Sequence, residues 1–290
     1  WLSRHLQSLS RGYAQDETRD DPVEWNKYGR NITRRTLDIS RRVCNLKINI
    51  DHTLYSKMYE TEQDHMKAHA SLKSLVFRHV NRASQVYRKT NFGGIEDISF
   101  AVQHIRINDS THCIGEKLNT NPFCSTTIDS AYMLHLASKS NHDDFCLSYA
   151  WTYRDFADGI LGLAWMARHN GENETALSRT SCVLLLVGPK YSALISNILF
   201  QVRTIADSVS YNTAAVAVLY AQHRIGGAHD NDSTCAPDGE VGNYIMFPAA
   251  TSGTKPNNHK FSSCSKGNIS TVLVPLFEGT SSRENCFQGE

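Results

Sequence analysis

Three residues in the second half of the chain have the spacing of a zinc site. His223, Gly226 and His229 match the second half of the signature H-E-x-x-H-x-x-G-x-x-H. In that signature the histidines are metal ligands and the glutamate is a general base. Leu219 stands at the position of the first histidine and Tyr220 at that of the glutamate. The motif therefore lacks one ligand and its carboxylate base.

The flanking sequence is consistent with the motif. Met246 follows His229 by 17 residues, within Gly-Asn-Tyr-Ile-Met-Phe, where a methionine turn below a metal site is expected. Three other stretches carry a resemblance to a known family: residues 141–165 (NHDDFCLSYAWTYRDFADGILGLAW), 258–264 (NHKFSSC) and 285–287 (NCF). From Cys44 to Phe287 the chain resembles the catalytic domain of ADAM metalloproteases, above all the kuzbanian-type (alpha-secretase) branch.

This resemblance implies an α/β metzincin (zincin-like) fold, with a twisted mixed sheet, an active-site helix and a smaller C-terminal subdomain. We expect residues 44–290 to form this domain. Residues 1–43 are polar and rich in Arg, Asp and Ser, which is typical of a prosegment tail or linker.

Apolar periodicity predicts where two elements near the site lie. Residues 58–91 have helical spacing, with a stripe of Leu, Val and Ala that we expect to face the core. Residues 160–166 carry few charges and are predicted to form a strand. In the family this is the edge strand that binds an extended peptide. The resemblance therefore assigns the peptide cleft to Ile160, Leu161, Gly162, Leu163 and Ala164.

Composition excludes two classes of partner. The net charge is +1 and the basic residues are scattered, so we expect no nucleic acid to bind. The chain contains no apolar run of the ~18 residues that a membrane span needs, so we expect none in this chain.

The eight cysteines form no C-x-x-C pair, which favours disulfides over a zinc ribbon. The resemblance implies the pairs Cys44–Cys146, Cys182–Cys286 and Cys235–Cys264, and leaves Cys113 and Cys124 as an additional local pair. Five N-x-S/T sequons predict glycosylation at Asn31, Asn108, Asn173, Asn231 and Asn268. Together these features predict an extracellular chain, either secreted or the ectodomain of a membrane protein.

The residues at 219 and 220 determine the functional prediction. A leucine offers no lone pair, and a phenol with a pKa near ~10 is a poor general base at neutral pH. We therefore expect no cofactor or only weakly bound zinc at His223 and His229. Tyr220 would then fill the pocket, donate to a histidine or act as an unusual ligand. Met246 would support the floor of the site with or without metal.

The resulting prediction is a catalytically inactive domain that binds a protein or peptide through the former substrate cleft, in adhesion or in an extracellular assembly. The alternative is an active zinc metalloendopeptidase with an atypical site that cleaves the ectodomains of membrane proteins.

Overall fold

The computed structural model describes residues 42–115, 121–125, 127–154, 156, 162–164, 183–187, 227–249, 253–281 and 285–287. The strands in these ranges are β1 (Val43–Ile50), β2 (Ser99–Ile107), β3 (Leu147–Thr152), β4 (Gly162–Ala164) and β5 (Val183–Val187). The α-helices are α1 (His52–Glu62), α2 (His65–Arg88), α3 (Ser130–Ser138) and α4 (Ser263–Phe277). The predicted division at residue 43 stays a prediction, because residues 1–41 lie outside these ranges.

The five strands form one sheet in the order β2-β1-β3-β5-β4. All neighbouring pairs are parallel except β4 and β5, which are antiparallel. A parallel sheet needs helices on its faces, because its crossover connections place them there. The mixed sheet with its helices confirms the predicted α/β class.

The main core lies between one face of the sheet and helices α1, α2 and α4. Strand β1 alternates half-buried and buried residues, so that Leu46, Ile48 and Ile50 all point into this core. The apolar stripe of α2 packs there too, which confirms that the stripe is a core face. A helix buried along one stripe against a sheet gains most of its stability from this packing.

A smaller cluster, here called the second core, packs on the other side of β3. Its buried members are Ile128, Met133, Leu134, Leu136, Ala137, Ala150 and Phe156. Alternate residues of β3 enter the two cores, since Leu147, Tyr149 and Trp151 belong to the main core and Ala150 to the second. All six residues of β3 are buried, as expected for a central strand covered on both faces.

The single helix predicted over residues 58–91 is two helices in the structure. Helix α1 begins earlier, after the N-cap Asp51, and ends before the C-cap Gln63, whose φ of 52° is left-handed. Asp64 then caps α2 by accepting a hydrogen bond from the Lys67 amide at 2.8 Å. Periodicity missed the break because the side chains of Gln63 and Asp64 are exposed and do not interrupt the apolar stripe.

Candidate functional site around Met246

The segment from residue 227 to 249, here called the Met246 segment, contains no helix or strand along its described length. Met246, near the end of this segment, is fully buried. The carbonyl oxygen of Met246 accepts two hydrogen bonds, from the Asp230 amide at 2.9 Å and from Nδ1 of His229 at 3.2 Å. The backbone at Met246 therefore fixes both the start of the segment and the orientation of the His229 ring.

Asp230 anchors the segment to helix α4. Its side chain is 2% exposed, and Oδ1 accepts hydrogen bonds from the hydroxyls of Ser262 at 2.7 Å and Ser265 at 2.9 Å. Ser262 is also the N-cap of α4, accepting from the Ser265 amide. Burial raises the pKa of the Asp230 carboxyl, and the hydrogen bonds from the two serines oppose this shift.

A disulfide makes the same connection covalently. Cys235 and Cys264 are joined, with their Cα atoms 6.1 Å apart. Their sulfur atoms and a carboxylate oxygen of Asp230 lie within 4.8 Å of one another. Both thiols are consumed in the disulfide, so this trio is a structural cluster rather than a metal site.

A second set of contacts fixes the backbone just before Met246. The Ile245 amide donates to the carbonyl of Lys260 at 3.1 Å, and Nδ2 of Asn258 donates to the carbonyl of Asn243 at 2.8 Å. Gly242 has φ 73°, and a Cβ there would lie 2.6 Å from the Lys255 side chain. This turn therefore requires glycine for two reasons, its positive φ and the closeness of Lys255.

His229 has the orientation of a metal ligand. A carbonyl oxygen can only accept, so Nδ1 of His229 donates to Met246, and in the neutral ring this tautomer leaves the lone pair on Nε2. Metal-binding histidines commonly donate their other ring N–H to a backbone carbonyl, which fixes the tautomer and the ring orientation. The ring lies at the surface, where a ligand can reach it. The contact between His229 and Met246 is therefore compatible with a metal site, and metal binding stays a prediction.

Strand β4 lies at one edge of the described sheet, as the family resemblance implies. Strand β4 contains Gly162, Leu163 and Ala164 of the predicted cleft and pairs with β5 through Gly162–Leu186, Leu163–Leu185 and Ala164–Leu184. In the described sheet β4 has a neighbour on one side only. The other side of such a strand presents backbone N–H and C=O groups to which an extended peptide can be added.

Several predicted site residues lie outside the described ranges. They are the motif residues Leu219, Tyr220 and His223, the cleft residues Ile160 and Leu161, the cysteine Cys182, and the sequon residues Asn31 and Asn173. Of the remaining sequons, Asn231 and Asn268 are exposed. Asn108 is half-buried, and its Nδ2 donates to the carbonyl of Ile50 at 2.9 Å.

One disulfide implied by the resemblance and the additional local pair are present. Cys113–Cys124 and Cys235–Cys264 are formed. The described disulfides do not include Cys44–Cys146, and both of these residues are buried in the main core. The pairing Cys182–Cys286 stays a prediction, because Cys182 lies outside the described residues.

Asp230 and Arg154 are structurally important residues that sequence reasoning missed. Asp230 directly follows the last histidine of the motif, and this adjacency was the only available signal. Arg154 lies in the matched stretch 141–165, where it makes a buried ion pair with Asp51. Both lie in irregular backbone, where no periodicity marks a buried polar residue.

Comparison with known proteins identifies the family. The model of metallo-peptidase family M12 (Reprolysin_5) matches residues 40–262. Disintegrin and metalloproteinase domain-containing protein 10 of Homo sapiens is 38% identical, over 88% of this chain and 32% of its own length. The homolog of that protein in Caenorhabditis elegans is 33% identical, over 85% of this chain and 29% of its own length. This chain thus spans about a third of these curated relatives.

More distant similarities were also found. The protein 17 homolog of Caenorhabditis elegans, from the same disintegrin and metalloproteinase series, is 22% identical over 88% of this chain and 38% of its own length. Archaemetzincin from Methanopyrus kandleri superposes with a TM-score of 0.40 at 12% identity, over 79% of this chain and 96% of that one. The latter similarity is too weak to bear on the fold.

These findings correct the functional prediction from the sequence. The interpretation as an inactive binding or adhesion module is wrong, because the relatives that share most of this chain are named as metalloproteinases. The expectation of no cofactor also lacks support, since the matching family is one of metallopeptidases. With a family match over residues 40–262 and relatives at 33–38% identity, the chain belongs to metallo-peptidase family M12, in the kuzbanian-type branch of ADAM catalytic domains.

Proposed function

We propose that this chain is a zinc-dependent endopeptidase domain with an atypical metal site. The observation that carries the proposal is the orientation of His229, whose Nδ1 donates to the carbonyl of the buried Met246. A histidine at the end of a zinc motif needs this arrangement to present Nε2 to a metal. Membership of a metallopeptidase family supports the same conclusion.

His223 and His229 would hold the zinc. Leu219 offers no donor atom, so the third ligand is Tyr220 or a residue from elsewhere in the chain. Bound zinc supplies Lewis-acid chemistry toward a peptide carbonyl and water. The Met246 carbonyl holds the His229 ring and also the backbone amide of Asp230, the residue after His229. These contacts reduce the reorganisation needed when the metal binds.

The β4 edge would hold the substrate. A peptide in extended conformation would add to the side of Gly162–Ala164 that faces away from β5 and form backbone hydrogen bonds along its length. Backbone pairing does not depend on sequence, so specificity would come from side-chain pockets beside the strand. This binding mode favours unfolded or loop segments of proteins as substrates.

The disulfides and sequons favour an extracellular setting. Cys113–Cys124 and Cys235–Cys264 would persist in an oxidising compartment. Glycans on the exposed Asn231 and Asn268 would be compatible with the fold. The ectodomains of membrane proteins are therefore the substrate class that we propose. Every described helix is too short or too polar to cross a membrane.

The test is cleavage of internally quenched peptides by the purified glycoprotein, with and without added zinc. We expect cleavage that a chelator abolishes and added zinc restores. His229→Ala should abolish it. His104→Ala is a matched control, because His104 lies on β2 at the opposite edge of the sheet from β4. Absence of any zinc-dependent cleavage in the unmodified protein would contradict the proposal.

A second variant tests the atypical site. The double substitution Leu219→His and Tyr220→Glu restores the family signature. A carboxylate base contributes about 10²- to 10⁴-fold to such reactions, so we expect kcat/KM to rise by a factor in that range. No increase over the unmodified protein would mean that a residue elsewhere in the chain already acts as an equally effective base.

A further inference from the structure

Arg154, at the carboxyl end of β3, connects three parts of the molecule. Its side chain is almost completely buried. Nε donates to Oδ2 of Asp51 at 3.0 Å, Nη1 to the carbonyl of Ser125 and Nη2 to the carbonyl of Phe123, both at 2.5 Å. All three nitrogens of the guanidinium group are thus used, and each one holds a different residue.

The two carbonyls belong to a segment that is also held by a disulfide. Residues 121–125 include the turn Pro122–Cys124, which is capped by the side chain of Asn121. Cys124 is buried and joined to Cys113, with Cα atoms 5.4 Å apart. Arg154 fastens this segment to the sheet, while the disulfide fastens it to the chain after β2.

Phe123 joins this segment to the second core by side-chain packing. Its ring packs against the second core, and so does the side chain of Leu163 of β4. Leu163 is the middle residue of the edge strand. Arg154 is therefore connected to Leu163 by its hydrogen bond to the Phe123 carbonyl and by the packing of Phe123 and Leu163 on the same cluster. Packed interiors transmit small displacements, because they contain few voids to absorb them.

We propose that Arg154 and Phe123 are positioning residues for the peptide-binding edge strand. They set the place of β4 through the second core, and neither touches the substrate. The inference rests on the proposed function, in which the β4 edge holds the peptide. Removing either contact would loosen β4, weaken the binding of extended peptides and leave the metal site, which is built around Met246, unchanged.

The planar guanidinium is needed for this role. A lysine in place of Arg154 would keep the positive charge near Asp51, but its single ammonium group cannot reproduce the fixed fork that holds both carbonyls. Phe123→Ala would leave the ion pair intact and remove only the packing. The two variants therefore interrupt the same connection at different points.

The experiment compares Arg154→Lys and Phe123→Ala with Arg88→Lys. Arg88 is an exposed arginine on α2, 3.7 Å from Asp97, and serves as the matched control. The first readout is amide hydrogen exchange of peptides containing residues 162–164, with peptides from β1 as an internal reference. We expect exchange at β4 to become about tenfold faster in both test variants and to stay unchanged in the control.

The second readout is the kinetics of a peptide long enough to span the cleft. We expect KM to rise roughly fivefold with kcat nearly unchanged, as for a loss of ground-state binding. Unchanged exchange at β4 in both variants would overturn the positioning role, and so would faster exchange with an unchanged KM. If the unmodified protein cleaves no peptide, the proposed function fails, and the exchange measurement alone still decides whether Arg154 and Phe123 position β4.

Discussion

The sheet and the Met246 segment are held in place by different forces. The strands and helices around the main core are ordered by apolar side chains, which alternate on β1 and form a stripe on α2. The Met246 segment has no regular backbone, and it is held by the Asp230 carboxylate, the serines at the start of α4 and the Cys235–Cys264 disulfide. The scaffold is thus stabilised by burial, and the site by a few directional contacts.

This difference affects how each region responds to mutation. Hydrophobic burial is spread over many residues, so single conservative changes cost little. A buried polar contact depends on one pair of groups, and losing one partner leaves the other buried without compensation. The sheet shares this sensitivity at the carboxyl ends of β1 and β3, where Asp51 meets Arg154.

Asp51→Asn should have the largest effect on folding. Asparagine keeps the helix cap of α1 but removes the charge that faces the buried Arg154. Breaking a buried ion pair in this way costs about 3–5 kcal/mol. Chemical denaturation would measure the loss. Asp97→Asn is the matched control, because its pair with Arg88 is exposed and should contribute at most about 1 kcal/mol. Equal losses of stability in Asp51→Asn and Asp97→Asn would contradict a special contribution of the buried ion pair.

The next effect concerns pH and a histidine in the main core. Burial lowers the pKa of His79 to about 4, while its hydrogen bond to the Leu75 carbonyl opposes the shift. The unfolded chain, with a histidine pKa near 6.5, then binds more protons than the folded one. Stability therefore falls as the pH drops below 6.5 and stops falling below about 4.

Denaturation at pH 7.5 and pH 5 would measure this effect. We expect His79 to account for about 2 kcal/mol of the stability lost between the two values. His79→Phe keeps an aromatic ring against Trp151 and removes the titrating group. The variant should lose correspondingly less stability on acidification. An identical pH dependence in the variant and the unmodified protein would show that other groups cause it.

The smallest expected loss of stability concerns the hydrogen bonds that join the Met246 segment to α4. Ser262→Ala removes the cap of α4 and one of the two hydroxyls that bind Asp230. We expect a loss of about 1–2 kcal/mol. Thr271→Ala, at an exposed position of the same helix, is the control and should be nearly neutral. If both changes cost the same, Asp230 does not depend on Ser262.

The same difference explains what could be predicted from the sequence. The apolar stripe of α2 is periodic, so the core face of this helix could be predicted from spacing, whereas the α/β class and the edge strand were implied by the family resemblance. The roles of Asp230 and Arg154 could not be predicted, because their partners lie 16–35 and 29–103 residues away and follow no period. The break between α1 and α2 was missed because exposed residues make it.

The metal site itself stays a prediction. The sequence predicted a methionine turn below that site, and in the structure the His229 ring donates to the carbonyl of Met246. The functional prediction failed because it was based on two substituted positions, Leu219 and Tyr220, within a motif whose surroundings match metalloproteinases over most of the chain. Substitutions at two positions identify missing side chains, but they do not exclude donors from elsewhere in the fold.

The measurement that tests the central claim most directly is the zinc content of the purified glycoprotein after dialysis. The account expects about one zinc per chain in the unmodified protein, clearly less in His229→Ala, and an unchanged content in His104→Ala. No bound zinc in the unmodified protein at saturating zinc would contradict it.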